Sequence, residues 1–176
     1  MKTIFFDNFR GFSNTILPIK DVNFFIGENS SGKTSILKLI KLISDPAFWF
    51  QLDFNQKDVE LGYFSEIVSK SSENQKQFTI GYSVFEENTS YAIVLKFINK
   101  EGIPELYKTL HYTKPFIFEY TKTANSLKYR YRKNSFKCSD AKKAYELLLG
   151  DPLKSYNYKK LKSRYQSQPT LFSIIL

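Results

Sequence analysis

The chain has 176 residues, of which 42% are apolar and 24% are charged, with one cysteine, one histidine and a formal net charge of +9. These values are typical of a globular chain that forms one domain or one lobe of a larger assembly, and they exclude wholesale disorder. No apolar run is long enough to cross a membrane, and Asp7 interrupts the first apolar stretch where a secretory signal would continue. One cysteine excludes an internal disulfide, and with one histidine it argues against a structural zinc site. The sequence therefore predicts a cytoplasmic protein.

Charge is unevenly distributed along the chain. Residues 1–107 contain 11 Lys and Arg against 13 Asp and Glu, whereas residues 108–176 contain 15 against 4. The second part therefore has a net charge of +11 and is suited to an acidic partner such as nucleic acid.

Short apolar runs predict the first strands. Residues 2–6 and 15–19 are β-prone, and the segment DNFRGF at 7–12 between them favours a bend. The run at 22–26 predicts a strand of the kind that is buried on both faces.

A helix is predicted directly after the glycine-rich loop that follows residue 26. Ile36, Leu39, Ile40 and Ile43 recur at the spacing of one helix face, and Asp45-Pro46 ends the pattern. Residues 50–60 are predicted to form a polar loop, and 62–70 a short helix or turn.

The pattern changes to β after residue 77. Five strands are predicted, at 78–85, 91–99, 106–112, 116–120 and 127–132. Short turn segments separate them, which predicts an antiparallel meander. A helix capped by Ser139 is predicted over 140–149, where Gly150 and Pro152 stop it. The predicted units are thus 1–77 around the glycine loop, a β-lobe at 78–137, and a helix with a basic, tyrosine-rich tail at 138–176.

The glycine loop carries the strongest functional signal. Residues 27–34 match the phosphate-binding pattern G-x-x-x-x-G-K-[ST] at every fixed position, between a predicted strand and a predicted helix. Backbone N–H groups of such a loop converge on the phosphates, the lysine reaches the β- and γ-phosphates, and the Thr34 hydroxyl is suited to ligate Mg²⁺. The predicted ligands of ATP are Gly27, Asn29, Ser30, Ser31, Gly32, Lys33, Thr34 and Ser35.

The class of P-loop protein is less directly encoded. Asn99-Lys100-Glu101 begins like the guanine-binding element of GTPases, but Gly102 stands where the base-binding Asp is required, so a hairpin turn is the better interpretation. Nothing in the sequence specifically favours a P-loop kinase, which stays an open alternative.

Two segments together carry a resemblance. DNFRGF at 7–12 and FFIGENSSGKTSIL at 24–37 resemble the start of the ABC-type ATPase heads of the SMC, RecF and OLD families, over about the first 43 residues. The resemblance implies an α/β P-loop NTPase lobe with an antiparallel β-meander lobe, ATP with Mg²⁺, and a head homodimer or a complementary ATPase lobe. It implies roles in DNA repair, chromosome maintenance or phage defence.

The same resemblance suggests that Arg10 reaches the nucleotide phosphates; a surface arginine beside a turn is the alternative. The rings of Phe9 and Phe12 are candidates to flank the adenine, although core packing is the preferred interpretation for both.

Other parts of such an ATPase are not recognisable. We find no Walker B strand ending in Asp-Glu and no signature segment, so no catalytic residue is assigned and hydrolysis by this chain alone is expected to be very slow. The expected fold is therefore an incomplete head, the N-terminal part of a larger or split ATPase. A non-hydrolysing module that binds nucleotide and nucleic acid is a further alternative.

The basic second part predicts a nucleic-acid contact, with a solvated outer face as the alternative. In a strand, Tyr129 and Tyr131 would share one face, and Arg130 and Arg132 the other. Cations interleaved with aromatic rings suit a nucleic-acid backbone and, less specifically, base stacking. The candidate residues are Arg130, Arg132, Lys133, Lys159, Lys160, Lys162 and Arg164.

Overall fold

A computed structural model describes residues 1–71, 75–87, 89–123, 126–133 and 138–160, and shows an α/β fold with one large sheet and few helices. The strands are β1 Lys2–Asp7, β2 Thr15–Ile19, β3 Asn55–Gln56, β4 Val59–Glu60, β5 Gln77–Phe85, β6 Ser90–Lys100, β7 Ile103–Thr113, β8 Phe116–Thr123, β9 Ser126–Lys133 and β10 Lys159–Lys160. The helices are α1 Lys33–Ser44, α2 Pro46–Gln51, α3 Phe64–Ile67 and α4 Ala141–Leu149. No helix in this part of the chain is long and apolar enough to cross a membrane.

Eight strands form the main sheet in the order β10-β9-β8-β7-β6-β5-β1-β2, and β3 pairs with β4 separately. Every pairing among the described strands is antiparallel. Strands β5 to β9 are neighbours in space as in sequence, which confirms the predicted meander. The sequence predicts a lobe boundary between residues 77 and 78. In the structure β1, from the first predicted unit, pairs with β5, so strands on both sides of that boundary belong to the same sheet.

The turn between β6 and β7 settles the role of Asn99. Gly102 has a φ of 85°, which suits a glycine, and its N–H donates to Asn99 Oδ1 at 2.8 Å. Residues 99–102 are therefore a hairpin turn, as the sequence suggested.

Each face of the sheet has its own apolar core. The first core joins the sheet to α1, α2 and α3, and includes Ile4, Phe6, Phe9, Leu39, Leu42, Ile43, Phe48, Phe54, Phe64, Phe78, Ile80, Leu95 and Phe97. The second core joins the opposite face to α4, and includes Phe5, Val94, Leu110, Tyr112, Ile117, Ala144, Tyr145 and Leu148. On α1 the predicted face is largely right, with Leu39 and Ile43 buried and Ile36 and Ile40 packed against them.

The strand predicted at 22–26 is wrong. These residues form no strand, and the side chains of Val22, Phe24 and Ile26 are 67%, 83% and 94% exposed. The sheet ends at β2 on this side, so no described strand lies beside the segment to pair with it. Its apolar residues remain uncovered within the described chain.

Residues 50–60 also differ from the prediction of a polar loop, since they contain the end of a second helix and two short strands. Asp45 ends α1 and its carboxylate caps α2, whose first residue is Pro46. The segment beyond α2 forms the β3–β4 hairpin and buries Phe54 in the first core. Trp49 in α2 donates its Nε1–H to Ile43 O at 2.8 Å, which joins the ring to the last turn of α1.

Candidate nucleotide-binding site

The first turn of α1 is open at the glycine loop. Gly32 is the N-cap residue with a φ of 90°, and no side chain caps the helix. The first helical bond runs from Ile36 N to Gly32 O at 3.0 Å. The N–H groups of Lys33, Thr34 and Ser35 therefore have no partner within the helix. Together with the positive end of the helix dipole, they form an anion-binding end.

The loop closes around the side chain of Lys33. Its Nζ donates to Gly27 O at 2.7 Å, to Glu28 O at 2.5 Å and to Ser31 Oγ at 3.2 Å. Ser31 N–H also donates to Glu28 O at 3.3 Å, which tightens the turn. The ammonium group is thus held beside the loop backbone, where a phosphate oxygen can replace a carbonyl as its partner.

A φ of 90° favours glycine at residue 32, and the ring of Phe12 packs against it. A Cβ at this position would lie 2.5 Å from Phe12 Cζ, so the ring packs directly on the glycine backbone. The same ring meets Phe6 of β1 edge-on, with centroids 5.1 Å apart. Phe9 is fully buried, so core packing is confirmed for both rings. The sequence motif explains Gly32 by the approach of its backbone to phosphates and gives no sign of its contact with Phe12.

Arg10 joins the bend at 7–12 to the α3 region. Its backbone N–H donates to Ile67 O at 2.7 Å, and its Nη2 donates to Leu61 O at 2.8 Å. One guanidinium donor is therefore held by the protein itself. The predicted contact with nucleotide phosphates stays a prediction.

Of the remaining predicted ligands, Asn29, Ser30 and Thr34 are exposed at the loop and the first turn of α1. Thr34 directly follows Lys33, so its hydroxyl is positioned by the same turn. Among the described residues, no group of three or more His, Cys, Asp and Glu side chains is placed to hold a metal ion. The Thr34 hydroxyl as a ligand of Mg²⁺ therefore stays a prediction.

Comparison with known families decides the class at a coarse level. The sequence matches the AAA ATPase domain over residues 1–171. The chain belongs to this family. A search among curated proteins gives no match. Membership makes nucleotide binding and ATPase chemistry the general properties expected of this AAA ATPase domain, and it agrees with the open first turn of α1.

The basic residues of the domain lie on different sides of the sheet. Arg130 stands opposite Glu119 and Arg132 opposite Ile117, whose side chain is buried in the second core. Directly opposed residues share a face, so both arginines lie on the side of α4. Lys133 stands opposite Phe116, on the other face.

Arg130 is occupied by the protein. Its side chain is 6% exposed, and its Nη2 donates to Glu119 Oε2 at 2.9 Å and to Asp151 Oδ1 at 2.6 Å. Its Nη1 donates to Leu153 O at 2.7 Å. Because every face of this guanidinium group is engaged or buried, Arg130 is withdrawn from the candidate nucleic-acid residues.

Glu119 is the centre of this buried network. Burial alone would raise the pKa of its carboxyl group, but hydrogen bonds from Arg130 and Tyr158 and the charge of Lys108 hold that pKa below its usual range. The network ties the segment after α4 to β8 and β9. The sequence showed the charges of these residues but not their pairing.

Two candidates in the tail are placed by β10. Lys159 pairs in register with Tyr129, and Lys160 with Lys128. Lys162 and Arg164 lie outside the described residues. The structure therefore brings Lys133 and Lys159 to the tyrosine side of β9 and keeps Arg130 and Arg132 on the other.

Proposed function

We propose that this AAA ATPase domain binds ATP with Mg²⁺ at residues 27–35, as the N-terminal part of an ABC-type head of the SMC, RecF and OLD class. The observation that carries the proposal is the first turn of α1, which has free N–H groups, no side-chain cap and the Lys33 ammonium group beside it. A triphosphate supplies the charge that this turn lacks.

The residues present fit the phosphates and the metal ion. Residues 29–31 and Thr34 are exposed, and Thr34 offers a hydroxyl oxygen next to Lys33. When bound, Mg²⁺ neutralises charge on the β- and γ-phosphate oxygens. The chain itself orients the triphosphate through the N–H groups of α1 and balances its charge through Lys33.

A complementary ATPase lobe is the partner that we propose for the segment 22–26. Val22, Phe24 and Ile26 are exposed immediately before the loop, although their pattern is that of a buried strand. A neighbouring strand from a second lobe or a second head would cover them and place further residues next to the nucleotide. ATP-dependent head dimerisation of this kind would serve DNA repair, chromosome maintenance or phage defence.

Lys33→Ala tests the nucleotide site. The affinity for Mg-ATP, measured by isothermal titration calorimetry on the full chain, is expected to fall about 100-fold because a charge-assisted contact to the phosphates is lost. Lys41→Ala is the matched control, since Lys41 lies on the same helix and makes only an exposed ion pair with Asp58.

Equal Mg-ATP affinity in the two variants would contradict the site. If the folded wild-type chain takes up neither ATP nor GTP, the whole proposal fails. Release of phosphate to water, phosphate transfer to a small acceptor, or binding without turnover then separates an ATPase from a kinase and from a non-hydrolysing module.

A further inference from the structure

The distal strands of the meander carry a face of aromatic rings that the ATP site does not use. This face, called here the tyrosine face, lies on β7, β8 and β9 opposite the side that α4 covers. None of its rings is fully buried. Its members are His111, Phe116, Phe118, Tyr120, Tyr129 and Tyr131.

Four of these rings form an array with nearly one orientation. Tyr129 and Tyr131 have centroids 6.4 Å apart and planes within 9° of each other. Phe118 lies 6.0 Å from Tyr131 at 27°, and Tyr120 lies 6.4 Å from Tyr129 at 28°. The array thus spans two strands and two positions along each of them.

The two faces of these strands differ in cover. On the α4 side, Ile117 and Glu119 of β8 are completely buried. On the tyrosine face, Phe118 and Tyr120 of the same strand are only partly buried, and Tyr131 of β9 is 43% exposed. Alternate residues of β8 therefore point to opposite faces of the sheet. One set is covered by protein, and the other set forms an aromatic surface that is partly open to solvent.

Cations border the array. Lys159 Nζ lies 5.2 Å from the centroid of the Tyr131 ring, within the range of a cation–π contact. Lys133 is exposed at the end of β9 and shares the face through its register with Phe116. These two lysines place positive charge at the edge of the aromatic array.

A groove of about 620 Å³ continues the face toward the β6–β7 turn. Tyr120 and Leu127 line it, together with Lys100 and Lys122. Both of these lysines donate to Glu105 Oε1, at 3.1 and 2.9 Å, so the groove contains charged groups beside the side chains of Tyr120 and Leu127. Aromatic and apolar side chains next to lysines suit an extended ligand in which flat ring systems alternate with negatively charged groups.

We infer that the tyrosine face is a binding platform for single-stranded nucleic acid, a function beyond the ATP site. Unpaired bases stack on exposed aromatic rings, and the phosphates between them are drawn to lysines at the rim. A duplex keeps its base faces stacked inside the helix, so it can use the lysines but not the rings. The surface therefore selects single strands by chemistry and not by sequence.

Binding of fluorescein-labelled single-stranded oligonucleotides (oligo-dT and oligo-rA) to the full chain tests this inference by fluorescence anisotropy at low salt. Tyr129→Ala and Tyr131→Ala are each expected to weaken binding about tenfold, the effect of losing one stacked base. Tyr131→Phe retains the ring and is expected to bind like the wild type. Tyr156→Ala is the matched control, since Tyr156 is similarly exposed at 44% but lies outside the face.

Charge variants complete the test. Lys159→Ala is expected to weaken binding and flatten its salt dependence, whereas Lys142→Ala, on the exposed side of α4, leaves both unchanged. Lys33→Ala also leaves oligonucleotide binding unchanged, so failure of the ATP site and failure of this inference are distinguishable.

Three results would overturn the inference. The first is no oligonucleotide binding at low salt by a folded chain. The second is equal or tighter binding of a duplex, or binding that the tyrosine variants leave intact. The third is loss of self-association in Tyr129→Ala and Tyr131→Ala without loss of oligonucleotide binding, which would make the face a protein interface.

Discussion

Helices α1 and α4 lie on opposite faces of the same sheet, and their N-terminal ends differ in capping. Asp140 caps α4 through an Oδ1 that accepts from Lys143 N at 2.9 Å. The α1 helix has Gly32 in that place and no side-chain cap. The protein caps the first turn of α4 with one of its own side chains and leaves the first turn of α1 without such a cap.

The regions around the two helices differ in the same sense. Beyond α4 the chain is fixed by the buried contacts of Arg130 with Glu119 and Asp151. Before α1, no strand among the described residues lies beside the segment 22–26, and the Lys33 ammonium group donates to atoms of the loop itself. The α4 region is therefore held by internal contacts, whereas the α1 region is the one that we propose to bind nucleotide, a contrast that four substitutions can break or sharpen.

Arg130→Met is expected to have the largest effect, on stability alone. It leaves the buried Glu119 carboxylate without its guanidinium partner, which costs about 3–5 kcal/mol in the free energy of unfolding. Urea denaturation measures the loss, and Mg-ATP affinity should stay unchanged under native conditions. Arg132→Met, on the same strand and face, is the control, and an equal loss there would show that the network with Glu119 is not the cause.

Gly32→Ala is expected to damage the α1 end instead. The new Cβ would lie 2.5 Å from Phe12 Cζ at a φ of 90°, so the loop must distort. The strain of about 1–3 kcal/mol predicts a roughly 10- to 100-fold loss of Mg-ATP affinity in calorimetry. Gly11→Ala is the control, because a Cβ there meets nothing within 4 Å. If adding Phe12→Ala to Gly32→Ala restores no affinity, the contact with the ring does not explain the loss.

Asp140→Ala is expected to cost about 1 kcal/mol, the usual value of a helix cap. The N–H of Lys143 lowers the pKa of the Asp140 carboxyl group, so the cap stabilises the fold above the ordinary aspartate pKa and is lost as pH falls through the lowered value. The difference in unfolding free energy between wild type and variant should therefore disappear in acid. A difference that persists there would mean that the ionised cap is not its source.

Phe24→Ser is expected to have the smallest effect on the isolated chain. With 83% of the side chain exposed, the free energy of unfolding should change by less than about 0.5 kcal/mol. Any assembly with a complementary lobe should be weakened much more strongly, as analytical ultracentrifugation with and without ATP would show. A large loss of stability in a monomer would contradict the exposed position of this segment.

Local patterns in the sequence predicted most of the sheet but not what lies beside it. Strands β5 to β9 follow from alternation and turn residues, which act between close neighbours. The segment at 22–26 has the same kind of signal, yet a strand also needs a partner, and no described strand provides one. The prediction that Arg130 contacts nucleic acid failed for a related reason. Its charge is visible in the sequence, but its pairing with Glu119 depends on the register of β8 and β9.

The nucleotide site divides in the same way. The motif at 27–34 predicted the open helix end, because the fixed residues of that motif define the local geometry. The packing of Phe12 on Gly32 joins residues that are distant in sequence, so only the fold reveals it. Family membership then supports ATPase chemistry, while the oligonucleotide surface depends on the register of β7, β8 and β9.

Trp49 gives the molecule an internal optical reporter. It is the only tryptophan in the chain, and its indole N–H donates to the last turn of the helix whose first turn adjoins the glycine loop. With 12 residues, that helix is about 18 Å long. If a triphosphate bound at the loop displaces α1, the intrinsic emission of the unlabelled protein is expected to change, because the indole is bonded to that helix.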